Sequence, residues 1–438
     1  MTTELVEPNA TAARDADAPA SAATNRIRGF VCRNCGRPEA FGLAYVCSAC
    51  FGPLEIDYDL ASISIDRATI AARGPAIWRY LELLPVDAPP ARGLVVGSSP
   101  LLQADRLADR LGVDRLLLKD DTRNPTLSFK DRAVAVAAAN APRLGITTLA
   151  CASTGNLAAA TAATAAAIGL PSFVFVPSTV EPGKIRHALA YGATVVPIDG
   201  TYDDVNRLCI EVADELGWGF VNVNLRPYYA EGSKTLAFEI AEQLGWRTPD
   251  VIVAPIASGA LFTKLAKGFR ELAAVGLIEE RPVRFVGAQA AGCSPVARAW
   301  ASGGEVEPIR TPDTFVHSLA IGSPADGRYV IEVLDSNEGS VEAVSDDETA
   351  QAIRDTARLE GVFVEPAGGV TVAAVSAARR RGVIRDGDEV VALVTGNGLK
   401  TPDAFEHGLD VAPATGNRPG LAPVLPPNFS SFERWLQA

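Results

Sequence analysis

The stretch Ser128-Phe129-Lys130-Asp131-Arg132, taken with Ser153-Thr154-Gly155-Asn156, decides how this chain is interpreted. The first segment places Lys130 at the start of an alanine-rich helical run, and the second is a polar glycine turn after an apolar strand. A lysine in this position can reach a carbonyl carbon held in the neighbouring turn, which is what Schiff-base formation requires. The same short pattern also fits a surface lysine and an ordinary helix cap, so the rest of the chain must decide between the two.

From about residue 58 to residue 405, short apolar segments alternate with long amphipathic ones. Continuous runs of Val, Ile, Leu and Phe are typical of strands buried on both faces of a parallel sheet. Helices are expected between them, for example over Asp203–Leu216 and Ser233–Leu244. This alternation predicts an α/β fold with right-handed crossovers. The predicted strands include Leu116–Leu118, Thr148–Ala152, Phe173–Val176, Thr194–Ile198, Val251–Ala254, Phe285–Gln289 and Val390–Thr395.

Glycine-containing turns are predicted at the ends of four strands: Ser153–Asn156, Ala257–Leu261, Pro366–Gly369 and Thr395–Gly398. In open α/β sheets, ligands bind beyond the carboxyl ends of the strands, so we expect these turns to line one cleft. The turn at Ala257–Leu261 separates the strand Val251–Ala254 from a helical run, an arrangement that can cradle a phosphate with backbone amides. A plain tight turn is the alternative at this position.

Four of the seven cysteines form a cluster with paired spacing, Cys32-x-x-Cys35 and Cys47-x-x-Cys50, with eleven residues between the pairs. A glycine follows each pair, so four thiolates can converge on one ion. Redox pairs or disulfides are the alternatives, but two pairs in one short module of a chain expected to be cytosolic favour zinc. Because all four ligands would be cysteines, the predicted zinc is structural and has no open coordination position.

Length and composition indicate a globular protein of two or three lobes, with 438 residues, 48% of them hydrophobic and 21% charged. The 40 Lys and Arg against 52 Asp and Glu give a formal charge of −12, which argues against a nucleic-acid partner. The most apolar later stretch, Leu157–Leu170, is too short to span a bilayer, so no membrane partner is expected. A cytoplasmic location is the expectation.

Four segments are predicted along the chain. Residues 1–25 are expected to be a disordered tail without a secretory signal, and 26–57 a small cysteine ribbon. Residues 58–405 would form the catalytic core, and 406–438, rich in Pro, Gly and Asn, a C-terminal arm on the surface.

From about Ser99 to Asp403 the chain resembles the threonine synthases, pyridoxal-phosphate enzymes of the tryptophan-synthase-β-like family, known as fold type II. The resemblance implies two open parallel-sheet α/β lobes with the active site between them, and a smaller lobe at about 134–240 inserted in the larger one. It also implies pyridoxal 5'-phosphate as cofactor. The matching blocks are Asn124-Pro-Thr-x-Ser-Phe-Lys-Asp-Arg132, Cys151-Ala-Ser-Thr-Gly-Asn156, Pro182-Gly-Lys184, Ala190-Tyr-Gly-Ala193, Glu231-Gly-Ser-Lys-Thr235, Glu365-Pro-Ala-Gly-Gly369 and Thr395-Gly-Asn-Gly-Leu-Lys-Thr-Pro-Asp403.

Residue roles follow from the same resemblance. Lys130 would be the Schiff-base lysine and the proton-transferring base, and Asn156 would hydrogen-bond the phenolic oxygen of the cofactor. Thr395 would face the pyridine nitrogen, where a hydroxyl leaves the ring a weaker electron sink than a carboxylate would. The cofactor phosphate would lie on the turn formed by Ala257, Ser258, Gly259, Ala260 and Leu261. Many threonine synthases instead have paired glycine–asparagine units in this loop.

The resemblance also implies a phosphorylated amino acid as the small-molecule substrate. Many relatives carry an arginine where this chain has Tyr229, so Arg226 or Lys184 would have to bind the substrate phosphate here. Ser153, Thr154 and Asn224 are the further candidate donors.

The resemblance implies a reaction that converts O-phospho-L-homoserine and water to L-threonine and phosphate, and a homodimeric enzyme is expected. The alternatives are dehydration of threonine or serine, β-replacement on O-phosphoserine, and a non-catalytic ribbon protein with a degenerate core.

Overall fold

The computed structural model describes residues 26–180, 182–401, 404 and 422–437. The predicted tail, 1–25, and most of the predicted arm, 406–438, lie outside this part. The first described segment is a three-stranded antiparallel sheet of β1 (Ile27–Cys32), β2 (Pro38–Glu39) and β3 (Leu54–Tyr58) in the order β2-β1-β3. Cys32 ends β1, and Cys35, Cys47 and Cys50 lie in the loops beside it; we call residues 26–58 the ribbon. Its Phe30 ring packs edge-on against Tyr228 of the core, with ring centroids 5.7 Å apart.

The core that follows alternates helices and strands, as predicted. Its strands are β4 (Leu101–Gln103), β5 (Arg115–Asp120), β6 (Leu149–Ala152), β7 (Ser172–Pro177), β8 (Thr194–Ile198), β9 (Gly219–Phe220), β10 (Val251–Pro255), β11 (Arg284–Ala290), β12 (Ser340–Val344) and β13 (Glu389–Val394). Its helices are α1 (Arg67–Ala72), α2 (Asp105–Leu111), α3 (Lys130–Ala139), α4 (Asn156–Ile168), α5 (Pro182–Ala190), α6 (Tyr202–Leu216), α7 (Arg226–Ser233), α8 (Thr235–Gln243), α9 (Ala260–Ala274), α10 (Pro295–Ser302), α11 (Gly327–Ser336), α12 (Asp346–Glu360) and α13 (Pro366–Arg380). A further helix spans Phe429–Gln437.

The larger sheet has six strands in the order β12-β11-β10-β13-β5-β4, all parallel except β4. Its central strands are buried on both faces. In β10, Val251 and Val253 join one hydrophobic cluster, while Ile252 and Ala254 join the cluster on the opposite face. Successive side chains of a strand point to opposite faces, so a continuous apolar run serves both layers of helices.

The smaller sheet has four parallel strands in the order β8-β7-β6-β9. The chain enters it after β5 and returns to the larger sheet at β10. Both sheets are parallel α/β sheets, so the predicted fold class is confirmed. The exact domain boundaries, including the smaller lobe at about 134–240, stay a prediction.

The prediction of a turn at the end of a strand was wrong for Pro366–Gly369. These residues form the first turn of α13, which begins at Pro366. The two glycines allow close packing: a Cβ at Gly368 would lie 2.8 Å from the Val364 side chain, and one at Gly369 would lie 2.6 Å from Ile353 in α12. A glycine in a sequence can indicate either a tight turn or a close approach between packed elements. At Gly368 and Gly369 it indicates close approach. No helix in the described part of the chain is long and apolar enough to cross a membrane.

Candidate active site and cysteine cluster

Lys130 is held at the end of a central strand of the larger sheet. The backbone amide of Phe129 donates to the carbonyl of Thr395 at 2.9 Å, and Ser128 forms a bridge with Gly396. Thr395, which directly follows β13, is buried. These contacts bring the predicted lysine and the predicted pyridine partner to one edge of the sheet, as expected from strand ends that face one cleft.

The Lys130 ammonium has a specific partner. Its Nζ donates to the hydroxyl of Tyr229 at 2.8 Å and lies 4.6 Å from the centre of the Phe129 ring. Tyr229 belongs to α7 and is 9% exposed. Lys130 is half-buried, and its hydrogen bond to Tyr229 orients the amine.

Asn156 begins α4, directly after Gly155, whose φ of 73° lies in the region that favours glycine. Its Nδ2 donates to both carboxylate oxygens of Glu365 at 2.9 Å. Glu365 is buried, and burial raises the pKa of its carboxyl, against the hydrogen bonds from Asn156 and the positive charges of Lys400 and Lys130. Glu365 therefore lies in contact with Asn156 and near the positive charge of Lys130.

The strand end at Thr395 fits closely against the same carboxylate. The backbone amide of Glu365 donates to the carbonyl of Gly396 at 2.9 Å. A Cβ at Gly396 would overlap the Glu365 carboxylate. Only glycine at this position lets the carboxylate reach Asn156.

The turn at Ala257–Leu261 follows β10, which is hydrogen-bonded to β13. Gly259 precedes α9 with a φ of 93°, and among the described residues no side chain caps this helix. The first amides of a helix have no partner within the helix, and its N-terminus carries partial positive charge, so the turn suits a phosphate. A Cβ at Gly259 would lie 2.9 Å from Val330 and 3.0 Å from Asp326, so the close fit requires glycine.

Arg226 lies beside this turn. Its Nη2 donates to Asp326 Oδ2 at 2.8 Å, and the Asp326 backbone amide donates to the carbonyl of Ser258 at 2.8 Å. Arg226 and Tyr229 are three residues apart on α7 and so share one face of the helix. Tyr229 is the hydrogen-bond partner of Lys130, so Arg226 lies within one helical turn of the residue that contacts the lysine.

The remaining predicted substrate residues occupy different surroundings. Ser153 and Thr154 are half-buried in the turn between β6 and α4, and Ser153 Oγ donates to the Thr154 carbonyl at 3.1 Å. Asn224 is buried; its Oδ1 accepts from the Phe220 amide and its Nδ2 donates to the Trp218 carbonyl, each at 2.8 Å. These hydrogen bonds connect Asn224 to its own loop, so its side chain stabilises that loop. Lys184 belongs to α5, and its side chain lies outside the described part of the structure.

The four predicted metal-binding cysteines converge. The sulfur atoms of Cys32, Cys35, Cys47 and Cys50 all lie within 4.8 Å of one another. The separation is 3.4 Å between Cys32 and Cys50 and 3.7 Å between Cys35 and Cys47. Four sulfurs about 2.3 Å from a common tetrahedral centre would be about 3.8 Å apart, so the spacing suits zinc.

Backbone amides around the cluster point at the sulfurs, as they do where thiolates need stabilisation. The amide of Asn34 approaches the Cys32 sulfur at 3.4 Å, and the amide of Ala49 approaches the Cys47 sulfur at 3.4 Å. Gly52 leaves room for the cluster, since a Cβ there would lie 2.9 Å from the Cys32 sulfur. The described residues thus form a preorganised four-thiol site.

The cleft residues fit pyridoxal phosphate by their chemistry. They supply a primary amine in Lys130, a carboxamide in Asn156, a hydroxyl in Thr395 and an uncapped helix N-terminus at Gly259. An aldehyde, a phenolic oxygen, a pyridine nitrogen and a phosphate need these four kinds of partner.

The sequence assigns no role to three residues of this site. Tyr229 appears only as a departure from an arginine, Glu365 only within a matching block, and Asp326 in no motif. The available signal is Glu365 itself, an acidic residue at the head of the matching block Glu365–Gly369. Asp326 lies in a segment without a motif, and only the fold shows its contacts.

Comparisons with known proteins agree with this geometry. The family model described as pyridoxal-phosphate dependent enzyme matches residues 93–396. The threonine synthase of Methanosarcina acetivorans is 38% identical over 374 residues, covering 85% of this chain and 92% of the relative. That of Methanocaldococcus jannaschii is 36% identical over 379 residues, covering 85% and 93%. The solved structure of threonine deaminase isoform 2 from Solanum lycopersicum shares the fold, with a TM-score of 0.60 at 23% identity, over 72% of this chain and 84% of that chain. The chain therefore belongs to the threonine synthases, within the family of pyridoxal-phosphate-dependent enzymes.

Proposed function

We propose that this enzyme converts O-phospho-L-homoserine and water to L-threonine and phosphate, with Lys130 as its catalytic residue. The observation that carries the proposal is the Lys130 amine, held 2.8 Å from Tyr229 at the cleft edge where Asn156 and Thr395 also lie, in a chain 38% identical to a threonine synthase. The reaction is a γ-elimination of phosphate followed by addition of water at the β-carbon.

Pyridoxal phosphate, when bound, would supply the electron sink that makes the proton on the amino-bearing α-carbon acidic and then allows a proton to be removed from the β-carbon. Asn156, Thr395 and the Ala257–Leu261 turn are the residues that would hold it, through a carboxamide, a hydroxyl and backbone amides. Lys130 would anchor it and, once free, carry protons to and from the α- and β-carbons of the substrate.

The substrate phosphate needs cationic donors, because drawing a dianion into a half-dry cleft is otherwise costly. Arg226 is the candidate whose placement supports this role: it lies on the same face of α7 as Tyr229 and beside the Ser258 turn. Ser153 and Thr154 lie in the turn after β6 and would act as neutral donors. Lys184 and Asn224 stay candidates from the sequence alone.

The cysteine cluster would hold one structural zinc ion, supported by four converging sulfurs and by the amides that point at them. The homodimer and the cytoplasmic location stay predictions.

Phosphate release with O-phosphohomoserine, measured beside release with O-phosphoserine, tests the proposed reaction. We expect threonine and phosphate in equal amounts from the first substrate and a much slower reaction with the second. Faster turnover of O-phosphoserine would refute the assignment.

The substitution Lys130→Ala tests the role of this lysine. It should abolish turnover while the fold is retained, since the change removes both the anchor and the base. Wild-type-like activity of Lys130→Ala would contradict the role of this lysine.

A further inference from the structure

The ribbon contributes one side chain to the surroundings of the candidate phosphate site. Arg33 lies between Cys32 and Cys35, and its Nη1 donates to Asp326 Oδ1 at 3.0 Å. The other oxygen of the same carboxylate accepts from Arg226 at 2.8 Å. The Asp326 side chain is 5% exposed, so a single buried carboxylate joins the ribbon to Arg226.

Asp326 also contacts the turn Ala257–Leu261, which is the predicted site of the cofactor phosphate. Its backbone amide donates to the Ser258 carbonyl at 2.8 Å, and its Cβ lies where a side chain at Gly259 would collide. The turn therefore fixes the backbone and Cβ of Asp326, while the two arginines fix the orientation of its carboxylate.

Arg33 is itself immobilised. Its guanidinium lies 3.8 Å from the centre of the Tyr329 ring. The neighbouring Asn34 accepts from Arg328 at 3.2 Å. Both partners belong to α11, the helix that begins directly after Asp326. Stacking and ion pairing together hold the guanidinium in one orientation, which a flexible surface arginine would lack.

The two guanidinium groups have donors left for an anion. Arg33 and Arg226 share the Asp326 carboxylate, one oxygen each. Each guanidinium carries several further N–H donors beyond the one given to Asp326. The Arg226 side chain is 33% exposed against 16% for Arg33, so Arg226 is the one that can meet a ligand in the cleft.

We propose that Arg33 is a positioning residue for the substrate phosphate: through Asp326 it holds Arg226 in its binding orientation, which makes the ribbon part of the substrate site. This inference rests on the proposed function, because it requires Arg226 to bind the phosphate. Without Arg33, Asp326 would be left with one cation and could turn, and Arg226 would lose its fixed anchor.

The ribbon has other attachments, so Arg33 can be removed without detaching it. Glu55 of β3 pairs with Lys264 and with Lys267 of α9, the second pair at 3.5 Å. The hydroxyl of Tyr228 donates to the carbonyl of Gly42 at 2.8 Å.

The test compares Arg33→Ala with Arg28→Ala, a ribbon arginine whose side chain is 60% exposed and pairs with Asp59. We measure KM and kcat for O-phosphohomoserine, the inhibition constant of inorganic phosphate, and zinc content. Arg33→Ala should raise KM and the phosphate inhibition constant on the order of tenfold, with little change in kcat, as coupled neighbours in one ionic network do. Arg33→Lys should recover part of the loss, and Arg28→Ala should match the wild type.

Asp326→Asn changes no residue of the ribbon. It should also raise KM for O-phosphohomoserine and the inhibition constant of phosphate. In the Arg226→Ala background, Arg33→Ala should add almost nothing. Normal constants for Arg33→Ala or Asp326→Asn, or a full effect of Arg33→Ala without Arg226, would overturn the inference. If Arg226→Ala alone leaves both constants unchanged, the proposed phosphate ligand is wrong, an outcome distinct from the failure of Arg33 alone.

Discussion

The carboxamide of Asn156 donates to both carboxylate oxygens of Glu365 at 2.9 Å, across 209 positions of sequence. A carboxamide nitrogen carries two N–H groups, so contact with the carboxylate determines which way the side chain faces. Glu365 thereby orients the residue expected to hydrogen-bond the phenolic oxygen of the cofactor. Gly396 makes this possible, since any larger residue would displace the carboxylate.

Glu365→Gln should lower kcat because an amide at this position presents one acceptor oxygen to Asn156 where the carboxylate presents two. We expect a loss of about 10- to 100-fold, and a loss on the order of 100-fold or more for Asn156→Ala, as for lost positioning and electrostatic contacts. Steady-state kinetics and the visible absorbance of the bound cofactor measure both effects. Glu338→Gln, at a carboxylate 79% exposed, is the control. If Glu365→Gln still impairs catalysis fully in the Asn156→Ala background, Glu365 does not act through Asn156.

Tyr229→Phe should slow catalysis while the fold is retained. The change keeps the ring and removes only the hydroxyl that accepts from Lys130, so the amine loses its fixed orientation. We expect kcat to fall on the order of tenfold. Tyr228→Phe is the matched control, because the hydroxyl of that neighbour points instead to the carbonyl of Gly42 in the ribbon. Equal effects of the two substitutions on kcat would show that the contact with Lys130 is not the cause.

The stability of the protein should depend on pH through Asp131. Burial raises the pKa of this carboxyl from 3.8 to about 6, although Thr126 donates to it with both its amide and its hydroxyl. A carboxyl with a raised pKa binds its proton more tightly in the folded state. Its contribution is therefore fully present below pH 4 and is lost as the pH rises through 6.

Asp131→Asn isolates this contribution. The unfolding free energy of the wild type minus that of the variant should fall by about 2 kcal/mol between pH 4 and pH 6, which is the larger part of a total of about 3 kcal/mol at about 1.4 kcal/mol per pKa unit. Urea denaturation across this range measures the difference. A difference that rises with pH would mean that the Thr126 hydrogen bonds outweigh burial.

The sequence predicts those parts of the fold and site that depend on neighbouring residues. Apolar runs such as Val251–Ala254 locate buried strands because burial on both faces removes every polar position. Lys130 and Asn156 could be predicted because each lies at the first residue of a helix in a local motif. Tyr229 and Asp326 act through residues far away in sequence, and no local pattern indicates such pairs.

Cys32→Ser should release the metal that we propose for the ribbon. The serine oxygen is a poorer zinc ligand, and the remaining three sulfurs leave one tetrahedral position open. We expect the wild type to contain about one zinc per chain and the variant little, with a lower melting temperature of the ribbon, because metal coordination contributes to the folding of such modules. Cys293→Ala, at a buried cysteine outside the cluster, should retain its zinc. Elemental analysis of the purified proteins measures the metal.

Catalysis by Cys32→Ser should survive in part, since Lys130, Asn156 and Thr395 lie in the core. We also predict which kinetic constant the loss of the metal changes most. Arg33 directly follows the substituted cysteine and pairs with Asp326, so loss of the metal should raise KM for O-phosphohomoserine more than it lowers kcat. A wild type without zinc would refute the metal site. A variant that loses zinc and keeps a normal KM would show that the ribbon and the substrate site are not coupled through Arg33.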